Sequence, residues 1–282
     1  GACFSKYHNV SIFDVDKQKI ESLKNLDLPI YEKKLLELIS SSYENKKITF
    51  TSILEDSIRD SELIFLCVGT PENQDGSANL DNIFEVSRNI ASILTKDASI
   101  VCKSTVPVGT CEIINKIVNE ELALRNKEIK FSVISNPEFL REGNAVYDFL
   151  NPDRIIVGIE ENASLLKTIE NLYLDFVEDK NQIIFMPVRD AEFSKYASNA
   201  MLATKVSFIN EVSNICDLLE VDVMNVREGM GTDPRIGFNF ISPGCGYGGS
   251  CLPKDVKALI SSADQVNFNA EVLKAVDARN KA

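Results

Sequence analysis

Residues Leu63-Ile64-Phe65-Leu66-Cys67-Val68-Gly69-Thr70-Pro71 form a short apolar run that stops at a Gly-Thr-Pro turn. A run of this length bounded by turn formers reads as a strand. The same form recurs at Ile100–Cys102, which runs into Lys103-Ser104-Thr105-Val106-Pro107. It recurs again at Phe131–Ile134, which runs into Ser135-Asn136-Pro137-Glu138-Phe139-Leu140-Arg141-Glu142-Gly143. Further strands are predicted at Val10–Phe13, Arg154–Val157 and Ile183–Met186. Helical patterns lie between them, roughly Lys17–Asn25, Glu32–Ser41, Leu80–Leu94, Cys111–Leu124 and Ser164–Val177. Strands that alternate with helices build βαβ units, so the fold class is α/β with a mainly parallel sheet. Such sheets bind ligands beyond the carboxyl ends of their strands. Hydroxyl, amide and carboxylate groups gather at three of those ends, which points to a cleft there.

From Asp190 the pattern changes. Ala191 to Glu220 holds no Gly or Pro and reads as one long helix or two abutting ones. Its apolar residues surround the segment broadly, as in a helix buried within a domain or against a second subunit. One further helix follows Val221, another begins at Pro253, and Ala270–Ala282 still reads as helix.

The 282 residues carry a formal net charge of −12, which argues against a nucleic-acid backbone as partner. No apolar run approaches the roughly 18 residues needed to span a bilayer, and no N-terminal signal pattern is present. A cytoplasmic protein is the natural expectation. The seven cysteines are scattered without CxxC spacing, and Cys67 and Cys102 fall in predicted strands as reduced core residues. His8 is the single histidine, so no metal site is expected and proton transfer falls to Lys, Asp, Glu or water.

The segment richest in chemistry is Pro243-Gly-Cys-Gly-Tyr-Gly-Gly-Ser-Cys-Leu-Pro-Lys-Asp255. Pro253 suits the first position of a helix, which places Cys251 just before the helix N-terminus with Lys254 nearby. The positive helix end and the ammonium both favour a thiolate, so the cysteine reads as an activated nucleophile. A structural cysteine in a tight loop is the competing reading. Val10-Ser-Ile-Phe-Asp-Val-Asp16 has the form of the second strand of a dinucleotide-binding fold, in which an acidic residue holds the adenosine ribose. Asp14 is that candidate, and its charge would favour NAD over NADP; a merely solvated aspartate is the alternative. The strand and glycine-rich turn expected before it are missing, and Gly1-Ala-Cys-Phe4 reads as the inside of a first helix.

These motifs together resemble the UDP-glucose 6-dehydrogenase branch of the nucleotide-sugar 6-dehydrogenases. The resemblance runs from Gly1-Ala-Cys-Phe4 through Pro29-Ile-Tyr-Glu32, Val68-Gly-Thr-Pro71 and Lys103-Ser-Thr-Val-Pro107. It continues through Asn136-Pro-Glu-Phe-Leu140, Asn151-Pro-Asp-Arg154 and Lys195-Tyr-Ala-Ser-Asn-Ala200 to Gly248-Gly-Ser-Cys-Leu-Pro-Lys-Asp255. It implies a Rossmann-like, doubly wound parallel sheet lacking its first strand in an NAD-binding domain over 1–187, and a central helical dimerisation domain over 188–282. The family's C-terminal nucleotide-sugar domain would be absent, so the sequence is read as a fragment.

The same resemblance implies a four-electron oxidation of UDP-glucose to UDP-glucuronate in two NAD-dependent steps. Cys251 would be the nucleophile, passing through a thiohemiacetal and a thioester. Lys195 and Asn199, at i and i+4 on one helix, would stabilise the oxyanion. Asp255 and Glu138, with Thr105, would serve the hydrolytic water. Asp14, Lys19, Thr70, Thr105, Glu142 and Lys254 are implied for the cofactor. Phe139, Leu140, Glu142, Lys195, Asn199, Phe240, Tyr247 and Gly248 are implied for the substrate, with Arg235 reaching it across a homodimer. A solvated helix face for Lys195 and Asn199, and surface salt bridges for the two carboxylates, are the plainer readings. Two functional alternatives accompany this one: a GDP-mannose 6-dehydrogenase, and a dimerising remnant without catalysis. Ser250 disfavours the N-acetylhexosamine branch, which carries histidine there, and a simple hydroxyacid dehydrogenase has no use for Cys251.

Overall fold

The computed structural model describes residues 1–160 and 162–282. By internal contacts the chain divides into two compact units. The first comprises Gly1–Gly69, Asp81–Ser104 and Val108–Glu192; the second comprises Thr70–Leu80, Thr105–Pro107 and Phe193–Ala282.

In chain order the first unit opens with β1 (Val10–Phe13), α1 (Lys17–Lys24), α2 (Leu35–Glu44), β2 (Ile48–Thr51) and α3 (Leu54–Ile58). It continues with β3 (Leu63–Leu66), α4 (Asp81–Ile93), β4 (Ala98–Cys102), α5 (Thr110–Leu124), β5 (Phe131–Ser135) and α6 (Ala145–Leu150). Then come β6 (Ile155–Gly158), α7 (Ala163–Tyr173), β7 (Ile183–Met186) and the start of α8 (Val188–Leu219). Strands β1 and β2 pair in parallel; β3-β4-β5-β6-β7 form a five-stranded sheet, parallel apart from the pairing of Ser135 with Gly158. The orders β2-β1 and β3-β4-β5 are the two flanks of the doubly wound order 3-2-1-4-5-6, its position 1 unfilled by the described residues. The α/β class and the doubly wound pattern are therefore as the sequence predicts.

Strand β4 is buried at every residue because it lies inside the sheet, whereas Ile48 and Phe50 of β2 alternate with exposed neighbours. That alternation is why the sequence reading passed over β2. Cys67 corrects another expectation: the strand ends at Leu66 and Cys67 is exposed beyond it, while Cys102 is buried inside β4. Gly1–Phe4 leads only into a 3₁₀ turn over Phe4–Lys6 rather than a helix. The Phe4 ring still anchors the core, with Phe149, Phe65, Tyr173 and Phe176 ring centroids 5.0–5.7 Å away. At the end of β6, Gly158 is required by close approach: a Cβ there would lie 2.6 Å from the Ala191 Cβ and 2.8 Å from the Val188 Cα.

The second unit holds the remainder of α8, then α9 (Val223–Gly231), α10 (Leu252–Gln265) and α11 (Glu271–Lys281). The long helix predicted over 191–220 is thus a single one. Its Ala200, Ala203, Ile209 and Cys216 are buried, but Phe193, Met201, Phe208, Ile215 and Leu218 stay exposed, so it is buried on one face only. No helix among the described residues is long and apolar enough to cross a membrane.

Candidate active site

Three charged or amide groups of the second unit are taken out of water together: Lys195 is 4% exposed, Asn199 6% and Asp255 0%. Lysine and aspartate are almost never this buried unless paired, because desolvating an isolated charge costs far more than packing returns. Lys195 and Asn199 lie one turn apart on α8, so their side chains share a face. Asp255 lies in the first turn of α10, where carboxylates suit the helix dipole. Its Oδ2 accepts from Asn199 Nδ2 at 2.6 Å, and its Oδ1 accepts from Lys254 Nζ at 2.6 Å. One buried carboxylate thus joins the two helices and aligns two donors.

Cys251 is half-buried and occupies the N-cap of α10, with Pro253 at the second helical position rather than the first. The Asp255 N–H donates to the Cys251 carbonyl at 2.9 Å, which closes the first helical turn. The Ser250 hydroxyl lies 3.4 Å from the Cys251 sulfur, a neighbour that the sequence reading did not assign to the site.

The glycine loop ahead of Cys251 is fastened to α8 and α11. The Gly244 N–H donates to Asn210 Oδ1 at 2.8 Å. The Tyr247 N–H donates to Asn280 Oδ1 at 2.7 Å, and Asn280 Nδ2 donates to the Tyr247 carbonyl at 2.9 Å. Gly246 (φ +112°) has no room for a side chain, since a Cβ would meet Asn280 Oδ1 at 2.6 Å. Alanine at 246 should destabilise the fold by about 1–3 kcal/mol, through left-handed backbone strain and the clash. Chemical denaturation of wild type and variant, side by side, measures this directly. The Tyr247 ring packs against Ala203, Val256 and Val276, and its hydroxyl is buried without a hydrogen-bond partner among the described residues. Burial, then the charge of Asp277, pushes that phenol up to about 12. Tyr247, expected at the substrate, is therefore a core side chain whose main chain belongs to the loop.

Phe240 sits in the left-handed region at φ +64°, unusual for an aromatic residue. The Arg235 guanidinium is exposed and bidentate on Asp233, with Nη2 at 2.6 Å. Thr70 donates from Oγ1 to the Thr105 carbonyl at 2.9 Å, which joins the turns after β3 and β4. A bidentate bond from Lys257 Nζ to Glu72, at 2.8 and 3.1 Å, fixes the loop after Thr70 to α10.

In the first unit, Asp14 follows β1 and receives the Lys19 ammonium and, at 3.0 Å, the Asp16 N–H. Burial raises its carboxyl, but the Lys19 bond, the Asp16 N–H and the Lys19 charge outweigh it, so Asp14 stays below the usual carboxylate range. An ionised carboxylate at the end of β1 fits a ribose diol, and Phe13 beside it lines a cleft of about 380 Å³ with Ser52, Ile53 and Leu54. Glu138 accepts from the Leu140 N–H at 2.6 Å, and Phe139 is capped by the Arg154 guanidinium 4.0 Å from its ring centroid. Glu142 lies in the same loop, between β5 and α6.

Residues 1–177 match the model of the UDP-glucose/GDP-mannose dehydrogenase family, NAD binding domain, and residues 189–282 match that family's central domain. The UDP-glucose 6-dehydrogenase of Pseudomonas aeruginosa is 45% identical over 280 residues, covering 99% of this chain and 62% of its own length. The UDP-glucose 6-dehydrogenase YwqF of Bacillus subtilis is 43% identical over 269 residues, covering 95% of this chain and 60% of its own. The chain therefore spans about three fifths of the length of these curated relatives. The structure of a UDP-glucose dehydrogenase from the hyperthermophilic archaeon Pyrobaculum islandicum superposes with a TM-score of 0.93 at 35% identity, over 99% of this chain and 64% of that one. Both matched domains, in that order and along nearly the whole chain, mean that it belongs to the UDP-glucose/GDP-mannose dehydrogenase family.

Proposed function

We propose that this chain is the dinucleotide-binding and cysteine-bearing part of an NAD-dependent UDP-glucose 6-dehydrogenase, which oxidises the sugar C6 alcohol to the carboxylate of UDP-glucuronate. The observation that carries this reading is the buried Lys195, Asn199 and Asp255 group on the helix that Cys251 caps and the helix beside it. A two-electron alcohol oxidation has no need of a cysteine there. The UDP-glucose 6-dehydrogenase relatives support the choice of sugar nucleotide. We assign residues 1–187 to NAD binding and 188–282 to a central domain that carries the cysteine.

Bound NAD supplies the hydride acceptor for both oxidations. Asp14 and Lys19 would hold its adenosine end, and Thr70, Thr105, Glu142 and Lys254 would line the rest. Cys251 sulfur adds to the C6 aldehyde carbon; the S–C bond forms as the carbonyl π electrons move onto oxygen. Lys195 and Asn199 stabilise that oxyanion by donating hydrogen bonds, and the Lys195 ammonium gives it the proton that completes the thiohemiacetal. The adduct keeps the C6–H that the second oxidation removes, which explains the use of a thiol. Water then cleaves the thioester, with Glu138 taking its proton and Thr105 orienting it. Asp255, with both oxygens engaged, serves chiefly to hold Asn199 and Lys254 in place. Phe139, Leu140, Glu142, Phe240 and the main chain at Tyr247 and Gly248 contact the nucleotide sugar.

Phe193, Met201, Phe208 and Ile215 are exposed along α8 at intervals of seven or eight residues, which is two helical turns. Such a stripe is suited to a second copy of the chain, and the exposed Arg235 would reach across it by exchanging its bond to Asp233. The test is stoichiometric. The full-length enzyme, given NAD and limiting UDP-glucose, should release two NADH per sugar, followed at the NADH absorbance. One equivalent, or none, overturns the reading, and faster turnover of GDP-mannose moves it to the other branch of the family.

A further inference from the structure

The loop leaving β5 carries Phe139, Leu140 and Glu142, assigned above to the nucleotide sugar, together with Glu138. Its root is fixed inside the sheet. Asn136 is buried; its Nδ2 donates to the Ile156 carbonyl at 2.8 Å, and its Oδ1 accepts from the Tyr173 hydroxyl. The far end of the loop is held by two carboxylates. Asp148, on α6, accepts from the Arg141 N–H at 2.9 Å, from the Arg141 guanidinium at 2.5 Å and from Asn144 Nδ2 at 2.8 Å. That clamp is local, as its partners lie within seven residues of Asp148.

The second carboxylate comes from elsewhere in the chain. Glu32 lies between α1 and α2, yet its Oε1 accepts the Gly143 N–H at 2.7 Å and its Oε2 accepts the Ala145 N–H at 3.1 Å. The two contacts span 111 and 113 residues of sequence. Gly143 is in the left-handed region at φ +80°, and main-chain N–H groups around such a residue converge on a single anion. Charge-assisted bonds of this kind are stronger than neutral ones and fix orientation. Removing the carboxylate leaves the loop its root and its local clamp but frees its sugar-facing turn.

We infer that Glu32 is a positioning residue for nucleotide-sugar recognition, acting through the main chain of residues 143 and 145. The inference rests on the reading of the β5–α6 loop as a substrate-binding segment. Within the first unit this gives Glu32 a task apart from that of Asp14 and Lys19, which are assigned to the adenosine end of the dinucleotide.

The test uses the full-length enzyme as Glu32→Gln, which removes the charge and turns one acceptor into a donor, and as Glu32→Asp, which keeps the charge but shortens the reach. Glu32→Gln should raise the KM for UDP-glucose about tenfold, with a smaller rise of about threefold at most in the KM for NAD, because Glu142 alone of this segment is assigned to both, and with kcat altered by less than about twofold. Glu32→Asp should fall between wild type and Glu32→Gln. Hydrogen–deuterium exchange of the segment 139–146 should quicken at least about tenfold in Glu32→Gln, with the sheet unchanged. An unchanged KM for UDP-glucose, or a parallel rise in both KM values with general loss of protection, overturns the inference. If Glu32→Gln fails to fold, the same comparison is made with Glu32→Asp. A wild-type enzyme that makes no NADH from UDP-glucose removes the functional reading itself. An active wild type indistinguishable from Glu32→Gln removes this inference alone.

Discussion

Serine in place of Cys251 will lower steady-state NADH release from UDP-glucose by about a thousandfold or more in the full-length enzyme. Serine keeps the size and the N-cap position, so α10 and the Asp255 N–H bond to residue 251 should persist. What is lost is the nucleophile: an alcohol is almost wholly protonated at neutral pH, whereas a thiol gives an appreciable thiolate and is intrinsically more reactive. Binding should survive, with the dissociation constant for UDP-glucose within about threefold of wild type by calorimetry, since no packing group is removed. Turnover within tenfold of wild type would sink the covalent mechanism.

Alanine in place of Asp255 should be nearly as damaging, for a different reason. The carboxylate is fully buried and holds Asn199 Nδ2 and Lys254 Nζ at 2.6 Å each. Truncating one member of such a buried set typically costs about 3–5 kcal/mol, because the remaining polar groups stay desolvated and unpaired. The expected result is a lower urea midpoint for unfolding by circular dichroism. A fall in kcat of about a hundredfold should accompany it as Asn199 loses its orientation. Asp255→Asn, which keeps the volume, should recover part of the stability and little of the rate. A variant with unchanged midpoint and unchanged kcat would show that the buried carboxylate orients nothing.

Much of the fold was legible because its central strands are apolar runs that end abruptly at turn residues. Leu63–Leu66, Phe131–Ser135 and Ile183–Met186 announce themselves in that way. Ile48–Thr51 does not, since an edge strand alternates buried with exposed side chains and here follows two lysines. It could have been found from its Ile-Thr-Phe-Thr alternation, which is a strand signature. Cys67 was misread because a continuous apolar run does not show where pairing stops.

In the site, the i and i+4 spacing of Lys195 and Asn199 is visible in the sequence, and so is a cysteine before a Pro-Lys-Asp helix start. The bond between Asn199 and Asp255 spans 56 residues and has no local signal. The fastenings by Glu32 and Asn280 were invisible for a stronger reason. Their partners are main-chain groups, which every residue carries, so no complementary side chain marks the contact.

The pairing of Asn280 with Tyr247 has a consequence for how the cysteine loop is kept in register. Both bonds come from one amide on the last turn of α11, so the loop reads the rotation of that helix as a key reads a lock. A slip of α11 by one residue would turn the amide by about 100° and carry it about 1.5 Å along the axis. Either displacement would break both bonds at once. The register of the loop before Cys251 is therefore matched to one setting of α11, with Asn210 of α8 holding the loop independently at Gly244.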